Sequence, residues 1–152
     1  MPSASHSATI DSPVEAVWRL LIDLESWPRW LRVPYASESV AADSLEPPHV
    51  GTEFTLKGKM RFALFARIER LEDLRLLAFE ITRSEYPSDR LFFKRARISI
   101  ELSEVDSGRT RVTCVHWVQG KGLLGRLYMA TVFRPFLRDN VLRVVQSIAE
   151  SV

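Results

Sequence analysis

The side chains best suited to move protons near neutral pH in this sequence are its three histidines, His6, His49 and His116. A histidine in an apolar cavity can orient a carbonyl or hydroxyl group of a ligand, or act as an acid or base. His6 and His116 are the two candidates, although a histidine bonded to the backbone in the core, or solvated at a rim, is the commoner case. The three histidines have no paired spacing, so we expect no metal site.

Small-molecule sites are mostly apolar, with a few polar groups that fix orientation. The aromatic candidates for such a site are Trp30, Tyr35, Phe62, Phe79, Trp117, Tyr128 and Phe136. The polar candidates are Thr131 and Asn140, on or beside the apolar stripe of the last predicted helix. For each aromatic residue plain core packing is the alternative interpretation, and it fits Trp18 and Trp27 best.

Motifs for nucleophilic, nucleotide or redox chemistry do not occur in the sequence. Gly120, Gly122 and Gly125 lack the strand and helix context of a dinucleotide fingerprint and are interpreted as a connector. Cys114 is the only cysteine, which rules out an intramolecular disulfide. We therefore expect no cofactor.

Composition places further bounds on function. The 152 residues fit one domain, 1–152, and 46% hydrophobic with 26% charged residues is ordinary for a globular protein. With 21 basic and 19 acidic residues, the charge is too balanced to favour nucleic acid as a partner. No signal-peptide pattern and no run of about 20 apolar residues occurs, so we expect a cytoplasmic protein without an integral membrane segment. Monomer and homodimer both remain open.

The N-terminal third indicates one strand and two short helices. Residues 3–10 alternate weakly, and His6 falls on the inward-facing even positions. Asp11-Ser12-Pro13 is typical of a helix start. Apolar residues then recur at helical spacing to about Leu24, and a second short helix is predicted over Ser26–Trp30.

From residue 34 to 118 apolar residues recur at every second position, which is typical of strands with one buried face. The predicted strands cover residues 35–42, 52–57, 60–71, 76–83, 93–105 and 110–118, and residues 84–90 are predicted to form a loop. Within 93–105 the inward set is Ala96, Ile98, Ile100 and Leu102, and the outward set is Arg95, Arg97, Ser99 and Glu101.

Alternation in the last predicted strand turns His116 inward together with Val112 and Cys114. The strand is expected to end near residue 118, which predicts that His116 lies near a cavity mouth. No acidic residue shares the inward face of this hairpin, so burial should favour the uncharged ring. We expect a neutral histidine that hydrogen-bonds to a ligand oxygen.

Residues 123–150 predict one long helix with a continuous apolar stripe that faces the sheet. The residues of the stripe are Leu123, Leu127, Ala130, Phe133, Leu137, Val141, Val144 and Ile148. Pro135 lies inside this helix and should kink it, because its ring excludes the carbonyl of Thr131.

This order of elements, with three local segments, resembles the START-like or SRPBCC superfamily, which includes the polyketide cyclase/dehydrase proteins. The segments are Ile10–Trp18, leading to Asp23, Trp27 and Trp30; Gly108–Thr113; and Gly122–Leu127. The resemblance implies an α+β helix-grip fold, in which a seven-stranded antiparallel sheet wraps around the long C-terminal helix and two short helices separate strands 1 and 2. It also implies a cavity between sheet and helix, where members hold lipids, sterols, quinones, polyketides or plant hormones.

Three functions are compatible with that cavity. The first is binding of a small hydrophobic molecule of lipid, polyketide or quinone type. The second is a cyclase or dehydratase reaction, in which His116, His6 or Tyr128 would move protons and binding geometry would supply most of the rate. The third is a regulatory protein-interaction domain, which would need a large exposed apolar patch.

Overall fold

The first strand and the two helical segments after it form close to their predicted bounds. In the computed structural model, which describes residues 2–152, β1 spans Ser3–Ile10, α1 spans Val14–Ile22 and α2 spans Trp27–Trp30. Pro13 immediately precedes α1, where the N–H that it lacks would have no helical partner. Val17 and Leu21 turn the apolar face of α1 into the core.

Seven antiparallel strands form one sheet in the order β1-β7-β6-β5-β4-β3-β2, which confirms the predicted α+β helix-grip architecture. The remaining strands are β2 (Ser39–Ala42), β3 (Glu53–Lys57), β4 (Ala63–Glu72), β5 (Leu76–Ser84), β6 (Phe93–Asp106) and β7 (Arg109–Gly120). The return of β1 to the far side of β7 brings the strands of His6 and His116 together.

The register of the β6–β7 hairpin fixes which side chains face the helices. Ile98 pairs with His116 and Ile100 with Cys114, with no register shift in the middle of the hairpin. The predicted inward set, Ala96, Ile98, Ile100 and Leu102, is buried. Of the predicted outward set, Arg95, Arg97 and Glu101 are exposed and Ser99 is half-buried. A one-residue slip would have exchanged the two faces.

Two segments before the C-terminal helices form a different element from the predicted one. The strand expected over 35–42 begins only at Ser39, because Pro34–Ala36 forms a short 3₁₀ helix that buries Tyr35. The loop expected over 84–90 contains α3 (Pro87–Phe92), with Pro87 at its first position, where proline suits a helix start.

The predicted long C-terminal helix is present, but it does not include residues 123–130. Instead α4 spans Gly122–Ala130 and α5 spans Arg134–Ser151. The chain leaves the helical conformation at Thr131, with φ −120° and ψ −77°, because Pro135 excludes the carbonyl four residues before it. Proline therefore begins a new helix here and does not merely bend one.

The apolar stripe divides at the same point. In α5 the predicted residues Leu137, Val141, Val144 and Ile148 are buried, and the helix packs on β1 and β7. In α4 Leu123 and Leu127 point to solvent, contrary to prediction. No helix within residues 2–152 is long and apolar enough to cross a membrane.

Candidate ligand-binding site

A cavity of about 180 Å³ lies between the inner face of the sheet and the helices, and its wall is mostly apolar. Its residues come from four strands, from the 3₁₀ helix Pro34–Ala36, and from α3 and the start of α5 with the residues just before them. They are Pro34, Tyr35, Leu64, Ile81, Tyr86, Ser88, Asp89, Phe93, Ala96, Ile98, His116, Val118, Phe133 and Phe136. The strand residues are there because alternation turns every second side chain of β6 and β7 inward.

A chain of three buried polar side chains lies at this wall. The Tyr35 hydroxyl donates to Oδ1 of Asn140 at 2.8 Å, and Nδ2 of Asn140 lies 3.0 Å from Nδ1 of His116. An amide nitrogen can only donate, so Nδ1 of His116 accepts. The neutral His116 ring therefore carries its proton on Nε2, the nitrogen that Asn140 leaves for a ligand.

Burial sets the charge of these groups. It lowers the pKa of His116 from its ordinary value of 6.5 to about 4, in agreement with the predicted neutral imidazole. Burial also raises the pKa of Tyr35 above its ordinary value, so this hydroxyl stays a donor. The pKa of Cys114 rises to about 12 through burial, which keeps this side chain an unreactive thiol.

His116 lies deeper than the sequence predicts. It is 4% exposed, and β7 continues four residues beyond it to Gly120. The strand pattern indicated an end near residue 118 because Gln119 and Gly120 interrupt the apolar alternation. His116 is thus an interior wall residue and not a residue of the mouth.

The mouth lies where α3 approaches the start of α5, since Ser88 and Phe136 both line the cavity and reach solvent. Asp89 is the acidic residue of the wall. Its Oδ2 accepts from the Ser84 hydroxyl at 2.5 Å, and burial raises its pKa. Sequence reasoning missed Asp89 and Tyr86 because the segment was interpreted as a loop; Pro87 followed by Ser88 and Asp89 is the helix-start signal that could have found them.

Three of the predicted site residues line the cavity, namely His116, Tyr35 and Phe136. A fourth, Asn140, is not part of the wall but hydrogen-bonds to both Tyr35 and His116. Phe79 instead packs against Trp27 and Phe54 in the core.

Trp30 is buried outside the cavity wall, where its Nε1 donates to Ser26. Phe62 lies beside the wall residue Tyr86, with their ring centroids 5.3 Å apart. Tyr128 stacks on Phe92 with 4.3 Å between ring centroids.

Three further predicted residues lie away from the cavity. Trp117 occupies an odd position of β7 and faces outward, below the guanidinium groups of Arg95 and Arg97. Thr131 is exposed at the break between α4 and α5, where its hydroxyl donates to the carbonyl of Leu127. His6 faces inward on the edge strand β1, half-buried opposite Cys114, but outside the cavity wall.

Phe133 is a wall residue that sequence reasoning assigned only to the apolar stripe of the last predicted helix. The break before α5 gives it this position, so helical periodicity alone could not distinguish it. As for metals, residues 2–152 bring together no group of three histidine, cysteine, aspartate or glutamate side chains that could hold an ion.

Comparison with known proteins agrees with this architecture. The model of the family described as polyketide cyclase/dehydrase and lipid transport matches residues 1–151. No curated protein matches the sequence.

Two enzyme structures share the fold. An aromatase/cyclase, Zhui, from a Streptomyces species has a TM-score of 0.72 at 15% identity, covering 97% of this chain and 91% of that chain. Norcoclaurine synthase from Thalictrum flavum, solved with dopamine and hydroxybenzaldehyde, has a TM-score of 0.72 at 11% identity, with 97% and 84% covered. A START superfamily protein from Mycobacterium smegmatis gives 0.61 at 11% identity, with 95% and 97% covered. At these identities the likeness concerns the fold.

Proposed function

We propose, from the premise that this chain belongs to the polyketide cyclase/dehydrase and lipid transport family, that it binds a small hydrophobic molecule in the cavity between the sheet and α5. The observation that carries the proposal is a neutral imidazole, His116, within an otherwise mostly apolar wall. Such a wall favours apolar ligands, and one fixed donor gives them an orientation.

The size of the cavity supports a bound group of modest size. An enclosed cavity of about 150 Å³ accommodates benzene, so the 180 Å³ here suits one substituted ring or a short chain. A larger lipid, polyketide or quinone would place one end inside and extend past Ser88 and Phe136 into solvent.

The hydrogen bonds of His116 support a ligand with an oxygen acceptor. Asn140 engages Nδ1, which leaves the Nε2–H as the donor. A ligand that covered this N–H without accepting from it would leave a buried polar group unpaired, at a cost of about 1–3 kcal/mol. Carbonyl and hydroxyl compounds are therefore preferred over pure hydrocarbons.

A cyclase or dehydratase reaction in the same cavity is the second candidate, and the buried chain Tyr35–Asn140–His116 favours it. However, a general base is most effective when its pKa lies near the working pH, and burial lowers that of His116 to about 4. Tyr128 and His6 lie outside the cavity wall. Binding therefore ranks ahead of proton transfer.

Native mass spectrometry of the protein purified from its own host tests the proposal, followed by displacement of a fluorescent apolar dye by the co-purified compound. Ser88→Trp would narrow the mouth at an exposed position and should weaken dye binding. Ser107→Trp, in the exposed β6–β7 turn, is the matched control and should bind as wild type. Equal dye binding by both variants, or a protein that takes up no apolar compound, would contradict ligand binding in this cavity.

A further inference from the structure

The outer face of α4 is apolar, which is the reverse of the usual arrangement on a surface helix. Leu123, Leu124 and Leu127 are 83%, 73% and 61% exposed. At about 3.6 residues per turn they lie opposite Gly125 and Met129, the residues that α4 buries. We call Leu123, Leu124 and Leu127 the leucine ridge.

The ridge cannot turn inward, because glycines hold the other side of α4 against the body of the protein. A Cβ atom on Gly125 would lie 2.6 Å from the backbone carbonyl oxygen of Phe92. A Cβ atom on Gly120, at the end of β7, would lie 2.2 Å from the backbone carbonyl oxygen of Gly125. Stacking of Tyr128 on Phe92 completes this contact. The exposure of the leucines is thus built into the backbone packing of α4.

Basic residues flank the ridge, and acidic ones do not. Lys121 immediately precedes α4, Arg126 lies on α4 beside the ridge, and Arg134 follows at the start of α5; all three are exposed. The sequence contains no aspartate or glutamate from residue 107 to residue 138. On α3, which packs against α4, Asp89 is turned toward Ser84 and the cavity wall, whereas Arg90 is exposed.

We propose that the leucine ridge docks this protein on the surface of a membrane that contains anionic lipids. Aliphatic side chains would enter the boundary between headgroups and acyl chains, and Lys121, Arg126 and Arg134 would lie at the level of the lipid phosphates. Protein interfaces are enriched in aromatic residues and methionine. The ridge has only leucines, on one convex helix, which fits a lipid surface better than a protein partner.

Docking through the leucine ridge would bring the cavity mouth close to the lipid surface. α4 packs on α3, which contributes Ser88 to the mouth, and α4 ends three residues before Phe133 of the cavity wall. A hydrophobic ligand could then move between bilayer and cavity without crossing water. The docking itself does not depend on ligand binding, so the two proposals are tested separately.

Flotation with lipid vesicles tests the docking. We expect the wild-type chain to bind vesicles of phosphatidylcholine mixed with phosphatidylserine, to bind phosphatidylcholine alone much more weakly, and to dissociate at high salt. The double variant Leu123→Gln/Leu127→Gln should bind roughly tenfold more weakly or worse. Leu45→Gln, at a fully exposed position in the β2–β3 loop, is the matched control and should bind as wild type.

The charge contribution has its own pair of variants. Arg126→Gln should weaken binding to mixed vesicles roughly fivefold, since one basic residue near an anionic surface contributes about 1 kcal/mol. Arg29→Gln, on α2 and also exposed, should not change binding to these vesicles. Circular dichroism and dye binding in the cavity should be unaltered in all four variants.

Three results would overturn the proposal. One is a wild-type chain that binds no anionic vesicles, and another is equal loss of binding in the ridge variant and in Leu45→Gln. The third is self-association of the wild-type chain that the ridge variant abolishes, with no vesicle binding, which would assign the ridge to a second copy of this chain.

Discussion

Nδ2 of Asn140 lies 3.0 Å from Nδ1 of His116, and this contact joins the helix α5 to the strand β7 at the cavity wall. Both side chains are almost fully buried, at 2% and 4% exposure. The contact ties the tautomer of His116, and therefore the chemistry offered to a ligand, to the position of the C-terminal helix. It also links the charge of His116 to the stability of the fold.

The stability of the protein should fall as His116 becomes protonated. The folded state lowers the pKa of His116 from 6.5 to about 4, so the unfolded chain binds the proton more readily between these values. The stabilisation is complete above pH 6.5 and is lost as the pH falls toward 4, at about 1.4 kcal/mol per pH unit and about 3 kcal/mol in all. Urea unfolding of wild type and His116→Gln across this range measures the difference in slope.

Glutamine keeps an acceptor for Asn140, so this variant removes the titration with least disturbance of the hydrogen bonds. His49→Gln, at an exposed loop position, is the control and should keep the wild-type slope. Identical pH dependence in wild type and His116→Gln would show that the ring is not buried in its neutral form.

Removal of the Tyr35 hydroxyl should destabilise the protein. This hydroxyl is the donor to Oδ1 of Asn140, and within residues 2–152 every side-chain nitrogen and oxygen that is closed off from solvent and from the cavity has a hydrogen-bond partner. Tyr35→Phe would leave a buried oxygen unpaired, at a cost of about 1–3 kcal/mol in the free energy of unfolding. Tyr86→Phe, at the half-buried cavity wall, should change stability by less than about 0.5 kcal/mol. Chemical denaturation measures the stability of both variants. Equal losses of stability would contradict the buried hydrogen bond between Tyr35 and Asn140.

The local sequence pattern was sufficient to predict which side chains of β6 and β7 face the core. Alternation in β6 and β7 gave the correct inward faces, including that of His116, because the period of two leaves only one register that buries Ala96 and Ile98. Tyr35 and Asn140 were both expected at the site, but not as a pair. Their contact spans 105 positions, and no local period reports which long-range side chains meet.

The helical segments show where pattern is insufficient. Leu123 and Leu127 continue the apolar period of α5. However, the close contact of Gly125 with Phe92 turns the Gly125 side of α4 inward and leaves these two leucines facing solvent. Periodicity reports which residues share a face, and the neighbour that covers the face depends on the tertiary fold. For Trp117 the pattern alone would have been correct. Its odd position in β7 indicates the outer face, but its large aromatic side chain suggested a cavity residue.

Two phenylalanines separate core packing from ligand binding. Phe79 packs on Trp27 and Phe54 in the core, whereas Phe136 lines the cavity and is partly exposed. Phe79→Leu should lower the free energy of unfolding by about 1–2 kcal/mol and leave the affinity for an apolar dye unchanged. Phe136→Leu should weaken dye binding and change stability by less than about 0.5 kcal/mol. If Phe79→Leu weakened dye binding and Phe136→Leu did not, the ligand site would lie near Trp27 instead.

The position of α4 gives the last prediction. Alanine normally stabilises a helix by about 1 kcal/mol relative to glycine. Gly125→Ala should instead destabilise the protein by about 1 kcal/mol or more, because the new Cβ atom would lie 2.6 Å from the carbonyl oxygen of Phe92 and must displace α4 from α3. Gly108→Ala, with open space around the site, is the control and should change stability by less than about 0.5 kcal/mol. Urea unfolding measures both variants. If Gly125→Ala stabilised the chain as it would an isolated helix, α4 would not be held against Phe92, and the outward orientation of its leucines would lose its physical cause.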